Sequence, residues 1–326
     1  RDLHKAIRRQ RQMCIRDRFR GLCMIDYVSE IKRLKKEKNA VILCHYYQND
    51  EIQDIADYLG DSLYLSQVAM KTDADIIVFC GVHFMAETAK ILNPNKHVLL
   101  PVMKAGCKMA NMINPDALKK YKDEHPNTKI ITYVNSTAAV KALSDCICTS
   151  TNALKIIDYY LKNGDDILYC PDQNLGKYAM KLSGKTFDVW PGCCPIHHFL
   201  DVKKIVELKK KNEGAKLIAH PECQPELLEY ADYIGSTKQL ITYAKNDSCN
   251  TFIVATEKGV LHQMKKDSPN KEFILAQNTL SCVNMKYTKL EDVYNVLNNE
   301  ENEIFVDEKV SKEALKALDK MMELSK

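Results

Sequence analysis

Three stretches of the chain show the same order of apolar and polar positions. Each opens with an apolar, β-branched run that ends in polar residues: AVILCHYY (40–47), KIITYVNS (129–136) and AKLIAHPE (215–222). A second run follows in each stretch: DIIVFC (75–80), DDILYC (165–170) and TFIVAT (251–256). Short runs of this type predict buried β-strands, and the amphipathic segments between them predict helices.

The three stretches repeat with a period of about 87 residues. The polar residues that end the first strands are 88 and 87 positions apart: His45, Tyr133 and His220. Downstream serines are 88 and 86 positions apart: Ser62, Ser150 and Ser236. Each stretch closes with a short strand and then a cysteine, at separations of 87 and 88: Cys107, Cys194 and Cys282. A period that holds at several landmarks predicts three copies of one folding unit.

Strands that alternate with helices indicate α/β units in which helices cover both faces of a parallel sheet. We therefore predict an α/β fold with three repeated αβα units arranged around a pseudo-threefold axis. The predicted units span residues 21–110, 111–197 and 198–285, and a C-terminal helical segment spans 286–326. Because ligands of open α/β sheets bind at the carboxyl ends of the strands, we expect the strand-end residues of all three units to meet at the axis.

The first 20 residues differ from the rest in charge. They contain eight Lys/Arg and two Asp, a net charge of +6, so the remaining residues carry −2 of the total of +4. This distribution argues against a nucleic-acid partner. The stretch QMCIRDR (12–18) resembles the translation of a transposase adapter used in preparing sequencing libraries, so we expect residues 1–20 to be non-native. The alternative, a basic arm or targeting peptide, lacks the apolar core of a secretory signal.

Hydropathy and cysteine content bear on where the protein works. No apolar run approaches the roughly 18 residues that a membrane-spanning helix needs, so we expect no membrane association. The chain has 13 cysteines without the short, loop-rich context of a disulfide scaffold, which favours a reduced, cytoplasmic setting. Most of these cysteines should therefore be small apolar core residues. They include Cys44, Cys80, Cys146, Cys148 and Cys170.

The three cysteines in phase with the repeat are candidates for a metal centre. Three thiolates at one point favour zinc, copper(I) or an iron–sulfur cluster. Structural zinc sites normally use closely spaced ligand pairs and a fourth ligand, which these three cysteines lack. A [4Fe–4S] cluster usually takes four cysteines, so three would leave one iron open. The spacing favours the open cluster over zinc, and three buried cysteines without a metal stay the third possibility.

The segment WPGCCPIHHF (190–199) contains two adjacent cysteines, whose side chains must diverge along the backbone. Cys194 is in phase with the cysteines of the other two units. We therefore predict that Cys194 is the ligand and that Cys193 is a neighbour without a ligand role. His197 and His198 have no counterparts in the other units, so we predict that they serve local packing or begin a helix.

Motifs along nearly the whole chain resemble the quinolinate synthase family. Between about Ile42 and Asn284 they are HYYQNDEIQDIADYLGDS, FCGVHFMAETAKILNP, AGCKMA, TYVNS, CTSTNA, WPGCCPIH, HPEC, GST and TEKGVLH. The resemblance implies three α/β domains in a triangle and a [4Fe–4S] cluster with three cysteine ligands and one open iron. It also implies a transferase that condenses iminoaspartate with dihydroxyacetone phosphate to quinolinate, releasing water and phosphate, in de novo NAD biosynthesis. An L-aspartate oxidase would be a functional link that supplies iminoaspartate.

Carried over residue by residue, the resemblance assigns three kinds of role. The cluster ligands are Cys107, Cys194 and Cys282. The residues that bind substrate carboxylates and phosphate are His45, Ser62, Tyr133, Asn135, Ser150, His220, Glu222, Ser236 and Thr237. The catalytic residues are Tyr47 and Glu222, which would transfer protons, and His220. His45 and His220 would neutralise and orient the anionic substrate groups.

Other interpretations stay open at this point. Tyr133 has the position of a strand-end core aromatic, and the three serines have the positions of helix N-caps. A different function class, a zinc- or cluster-binding sensor without catalysis, would need the strand-end polar residues only as scaffold. Neither a G-x-G-x-x-G nor a Walker A motif occurs, which disfavours a dinucleotide dehydrogenase or an NTPase.

Overall fold

Three four-stranded parallel sheets make up the framework of the protein. A computed structural model describes residues 25–326, and in this part of the chain each sheet has the strand order second, first, third, fourth. Because the same order and the same parallel pairing recur three times, the predicted α/β fold with three repeated units is confirmed. The segment predicted to be non-native, residues 1–20, lies outside the described residues.

The strands follow one another in three groups of four, one group for each unit in chain order. The first sheet contains β1 (Ala40–His45), β2 (Tyr58–Gly60), β3 (Ile76–Cys80) and β4 (His97–Leu99). The second contains β5 (Lys129–Tyr133), β6 (Cys146–Cys148), β7 (Ile167–Cys170) and β8 (Asp188–Val189). The third contains β9 (Lys216–Ala219), β10 (Tyr233–Ile234), β11 (Thr251–Ala255) and β12 (Glu272–Leu275).

Helices connect the strands of each sheet. Unit 1 has α1 (Tyr27–Glu37), α2 (Asp50–Asp54), α3 (Ser62–Lys71) and α4 (His83–Leu92). Unit 2 has α5 (Pro115–Glu124), α6 (Ala138–Lys141), α7 (Ala153–Lys162) and α8 (Gln173–Ser183). Next come α9 (Pro195–His198), α10 (Val202–Lys211), α11 (Pro225–Leu228), α12 (Thr237–Asn246) and α13 (Val260–Asp267). The predicted C-terminal segment contains α14 (Leu290–Asn299) and α15 (Glu308–Leu324), whereas the exact unit boundaries stay predictions.

The register of the sheets reproduces the period found in the sequence. The last residue of each third strand pairs with a residue of the first strand: Cys80 with Cys44, Cys170 with Thr132, and Ala255 with Ala219. The three first-strand partners are 88 and 87 residues apart. The residues that come directly after them are His45, Tyr133 and His220. These three therefore occupy equivalent positions in the fold, as the period predicts.

The sheets are covered on both faces, which explains why their strands are continuous apolar runs. All five residues of β3 are buried. The five cysteines predicted to be structural are buried too: Cys44, Cys80, Cys146, Cys148 and Cys170. α15 contributes Ala314, Leu318 and Met321 to the core that units 1 and 2 share. Within residues 25–326, no helix has the length and apolar character needed to cross a membrane.

Candidate functional site

The carboxyl ends of the three first strands border one cavity. Its volume is about 140 Å³, and its walls come from all three units. Twelve predicted site residues line it: His45, Tyr47, Ser62, Cys107, Tyr133, Asn135, Ser150, Cys194, His220, Glu222, Thr237 and Cys282. Equivalent strands end on the same side of equivalent sheets, so the repeat itself brings these distant residues together.

The three predicted serines differ in their positions relative to the helices that follow them. Ser236 is the N-cap of α12: its hydroxyl accepts the backbone N–H of Gln239 at 3.3 Å, and it does not line the cavity. Ser62 is the first residue of α3, and Ser150 precedes Asn152, the N-cap of α7. The N-cap interpretation is therefore right for Ser236 and wrong for the other two serines.

Each candidate metal ligand lies just before a short helical turn. Cys194 is the N-cap of α9, Cys282 is the N-cap of the 3₁₀ turn Val283–Lys286, and Cys107 precedes the 3₁₀ turn Ala110–Met112. Backbone N–H groups of the following residues lie near each sulfur and act to lower the pKa of its thiol, against the effect of burial. They therefore favour the thiolate, which is the form of cysteine that binds a metal.

The surroundings of the three thiols fit a metal centre. Burial raises the pKa of Cys107 to about 12 and also raises the pKa of Cys194 and of Cys282. Free thiols in this cavity therefore keep their protons, and three thiolates would need a bound cation to stabilise them. Their sulfur donors select a soft metal or an iron–sulfur cluster.

A second group of donors overlaps these cysteines. Cys194, His197 and Glu222 each offer one ligand atom, and the three atoms lie within 4.8 Å of one another. This arrangement suits a single ion, whereas in a cluster each thiolate binds a different iron and the sulfurs need not converge on one point. The donors of the cavity are thus compatible with an iron–sulfur cofactor and also with a single metal ion.

The two adjacent cysteines have different surroundings. Cys194 lines the cavity, whereas Cys193 does not. Cys193 is 8% exposed, and its backbone N–H donates to the sulfur of Met112 at 3.3 Å. Of the pair, only Cys194 therefore lies with Cys107 and Cys282, as the phase of the repeat predicts.

Two buried acidic side chains accept backbone N–H groups of the cysteine loops, and neither was predicted from the sequence. Asp172 accepts the N–H of Cys194 at 3.2 Å, and Glu257 accepts the N–H of Cys282 at 3.1 Å. Each carboxylate lies two residues after the third strand of its unit. Unit 1 has Val82 at the equivalent position. The available signal was therefore an acidic residue at the same place of the repeat in units 2 and 3.

Glu222 lies at the centre of a buried hydrogen-bond network. The hydroxyl of Tyr133 donates to its Oε1 at 2.7 Å, and Nδ1 of His197 lies 2.8 Å from its Oε2. Burial by itself would raise the pKa of Glu222, but the neighbouring His220 and His197 and these hydrogen bonds lower it overall. Glu222 is therefore a carboxylate that can accept a proton.

Tyr47 has the opposite protonation behaviour. Its hydroxyl lies 2.9 Å from Oγ1 of Thr237 and 2.8 Å from Oγ1 of Thr256. Burial and the nearby charge of Glu222 raise the pKa of Tyr47 well above its ordinary value. The phenol therefore keeps its proton at neutral pH and can donate it.

The two strand-end histidines are neutral hydrogen-bond donors. Nδ1 of His45 accepts the N–H of Tyr47 at 3.2 Å, and Nδ1 of His220 accepts the N–H of Glu222 at 3.3 Å. Burial lowers the pKa of His45 to about 3 and the pKa of His220 to about 4. The protons therefore lie on the Nε2 atoms, so the rings can orient an anion by hydrogen bonds, and the expectation that they neutralise its charge stays a prediction.

His197 belongs to the wall of the same cavity, although the sequence predicted only local packing or a helix start for it. Its ring is 1% exposed, stacks on His220 with centroids 5.0 Å apart, and contacts Glu222. His197 has no counterpart in the other units, so the repeat gave no signal for it. His198 instead contacts Asn174 at 2.9 Å and does not line the cavity.

The chain is similar over most of its length to one protein family. Residues 29–323 match the family described as Quinolinate synthetase A protein. The quinolinate synthase of Trichodesmium erythraeum (strain IMS101) is 50% identical over 305 residues, which cover 92% of this chain and 94% of that protein. The quinolinate synthase of Alkaliphilus metalliredigens (strain QYMF) is 51% identical over 298 residues, with coverages of 91% and 98%. The quinolinate synthase of Clostridium perfringens is 48% identical over 301 residues, with coverages of 92% and 99%.

Proposed function

The chain belongs to the quinolinate synthetase A family, and on this premise we propose that it condenses iminoaspartate with dihydroxyacetone phosphate to quinolinate. Water and phosphate are released, and the product enters NAD biosynthesis. The observation that carries the proposal is one cavity in which a cysteine from each unit lies beside an ionised carboxylate and a protonated phenol. A scaffold without catalysis would not need such a pair.

In this proposal Cys107, Cys194 and Cys282 hold a [4Fe–4S] cluster with one open iron. Support comes from their common cavity, from the nearby backbone N–H groups that favour the thiolates, and from the lack of a fourth cysteine among the described residues that line the cavity. When bound, the open iron would act as a Lewis acid toward a hydroxyl or carboxylate oxygen of the ligand.

The remaining polar residues bind the anionic substrate groups. His45 and His220 offer neutral N–H donors, and Ser62, Ser150 and Asn135 add hydroxyl and amide groups from units 1 and 2. The first residues of α3 and α12 line the cavity, and helix N-termini favour anions. Ser236 contributes indirectly, because it caps α12 and orders the turn that carries Thr237.

Glu222 and Tyr47 transfer the protons. Glu222 is ionised and serves as the general base that removes a proton from carbon. Tyr47 is protonated and serves as the general acid toward a departing hydroxide. His220 orients Glu222 because its Nδ1 accepts the backbone N–H of that residue. The two roles differ because a carboxyl group is ionised and a phenol is protonated at neutral pH, and the surroundings reinforce both states.

The test is anaerobic purification followed by a coupled assay. An L-aspartate oxidase generates iminoaspartate in the presence of dihydroxyacetone phosphate, and quinolinate is measured by mass spectrometry. We expect brown protein with about four irons and four sulfides per chain, and quinolinate formation that depends on the chain. Colourless protein with one zinc and no quinolinate would contradict the proposal. Protein that holds the cluster but forms no quinolinate would favour the other function class, a cluster-binding sensor without catalysis.

A further inference from the structure

Lys141 is the only lysine that is fully buried among residues 25–326. It ends α6 of unit 2 and does not line the cavity, but its Nζ lies 5.3 Å from the centre of the Phe84 ring, which does. Its ammonium group also donates to the backbone carbonyl of Ser136. Lysine is rarely buried without an anionic partner, because an unpaired charge loses its hydration. The position of Lys141 behind the cavity wall therefore requires a negative group nearby.

The described carboxylates supply only part of that negative charge. Lys141 forms no ion pair with any carboxylate in the described part of the chain. Glu87 in α4 acts on it from a greater distance. Both oxygens of Glu87 have other partners: Oε2 accepts the N–H of Ala138 at 3.1 Å, and Oε1 lies 3.7 Å from Nδ1 of His83. Glu87 therefore leaves part of the buried positive charge without compensation.

The other negative group near Lys141 is a thiolate at Cys107. Burial lowers the pKa of Lys141 to about 8, whereas negative charges on Glu87 and on Cys107 raise it. With this pKa, most of the lysine side chains are positively charged at neutral pH. Charges that share a poorly solvated interior interact without direct contact, so Lys141 and a thiolate at Cys107 stabilise each other.

We propose that Lys141 is the buried counter-charge of the metal centre and raises the reduction potential of the cluster that the three cysteines hold. The inference rests on the cluster in the proposed function, but it concerns the metal centre and not the condensation. Thiolate ligands make the site negative, and reduction adds one more electron. A nearby cation therefore stabilises the reduced state more than the oxidised state. A lysine that only joined α6 to α4 would affect stability and leave the potential unchanged.

The experiment compares three variants with the wild type, all purified without oxygen. Lys141→Met removes the charge and the hydrogen bond to Ser136, whereas Lys141→Gln removes the charge and keeps a hydrogen-bond donor. Lys122→Met is the matched control, since Lys122 is half-buried in unit 2, its Nζ donates to Leu143 O at 2.7 Å, and it does not line the cavity. The measurements are the midpoint potential from a redox titration followed by electron paramagnetic resonance, iron per chain, and thermal unfolding.

We expect both Lys141 variants to keep about four irons per chain and to have a more negative midpoint potential than the wild type. The equilibrium constant for one-electron reduction should fall by about tenfold, which is about 59 mV. Lys122→Met should keep the wild-type potential, because the charge that it removes does not lie at the cavity wall.

Unchanged potentials in both Lys141 variants would overturn the inference, and so would an equal shift in Lys122→Met. A shift in Lys141→Met alone would also overturn it, because the lost hydrogen bond would then be the cause. Folded Lys141 variants without iron would overturn it as well, since Lys141 would then be needed to assemble the site. A wild type that holds the cluster, makes no quinolinate and still shows the shift would support the inference and contradict only the proposed condensation. A wild type without a cluster would contradict both.

Discussion

The loops that follow the first strands of units 1 and 3 are built alike but carry opposite chemistry. In both loops a histidine lies at the carboxyl end of the strand, as the last strand residue in unit 1 and as the next residue in unit 3. Its Nδ1 accepts the backbone N–H two residues further along, at 3.2 Å in unit 1 and 3.3 Å in unit 3. The residue that donates this N–H is Tyr47 in unit 1 and Glu222 in unit 3. The same backbone arrangement therefore presents a phenol from unit 1 and a carboxylate from unit 3 to the cavity.

The difference between the two loops lies in what other units place around them. The side chain of Glu222 receives hydrogen bonds from Tyr133 of unit 2 and from His197, and they help to keep it ionised. Among the described residues, the hydroxyl of Tyr47 forms hydrogen bonds only with the hydroxyls of Thr237 and Thr256, and burial raises its pKa further. The repeat therefore supplies the positions, the residue type at each position sets the protonation state, and contacts across units reinforce that state.

The largest effect should come from removing the base. Glu222→Gln keeps the shape of the side chain but cannot accept a proton from carbon, so we expect kcat to fall by about 10²- to 10⁴-fold. Iron content and the fold should be unchanged. The exposed Glu226→Gln is the control in the same loop region and should keep full activity. Near-wild-type turnover by Glu222→Gln would show that Glu222 is not the general base. The proposed contrast between an acid loop and a base loop would then be wrong.

Removing the acid should have a smaller effect, because water can replace part of its function. For Tyr47→Phe we expect kcat to fall by about 10- to 100-fold, with iron content unchanged. Tyr46→Phe is a matched control, since Tyr46 is the preceding residue, is buried and does not line the cavity. Steady-state assays of both variants measure the effect. Equal losses in the two variants would mean that the loop, and not the phenol of Tyr47, is responsible.

The two histidines make the loops sensitive to acid in the same way. Burial lowers the pKa of His45 to about 3 and of His220 to about 4, while an unfolded histidine titrates near 6.5. Between about pH 6.5 and 4 the unfolded chain binds more protons than the folded chain, so the free energy of unfolding falls as the pH falls. The expected slope is about 1.4 kcal/mol per pH unit for each histidine.

Urea unfolding at a series of pH values checks this expectation. Below about pH 6.5, the free energy of unfolding of His45→Asn should fall less steeply with falling pH than that of the wild type. The difference in slope should equal the contribution of one histidine. His125→Asn, which changes an exposed histidine, should keep the wild-type slope. If His45→Asn and the wild type lose stability in parallel, His45 is protonated in the folded protein and binds ligands as a cation.

The fold followed from the sequence because strands buried on both faces are continuous apolar runs that repeat at one period. Positions set by that repeat were predictable as well: His45, Tyr133 and His220 occupy equivalent positions at the carboxyl ends of the first strands, and Cys194 lines the cavity while Cys193 does not. Whether Ser236 caps α12 or contacts a ligand was not predictable, since a serine just before a helix suits both roles.

The residues that the sequence did not mark depend on contacts between units. His197 and Thr256 are 59 residues apart in the sequence but contact each other in the fold. Their partners Glu222 and Tyr47 come from two different units. No local pattern records such a contact. Protonation was unpredictable for the same reason, because the pKa of His45 depends on burial that only the assembled cavity provides.

If each unit places one cysteine at the cavity, only one of the adjacent residues Cys193 and Cys194 binds the metal centre, and iron analysis of variants of both shows which one. Cys193→Ser and Cys194→Ser are purified side by side without oxygen, and iron per chain is measured. We expect Cys194→Ser to bind sub-stoichiometric iron and to make no quinolinate, because serine oxygen is a poor partner for iron in a cluster. Cys193→Ser should keep about four irons and lose only about 1–2 kcal/mol of stability. The opposite result, in which Cys193→Ser loses iron while Cys194→Ser keeps it, would mean that Cys193 is the ligand and that the assignment of Cys194 from the repeat is wrong.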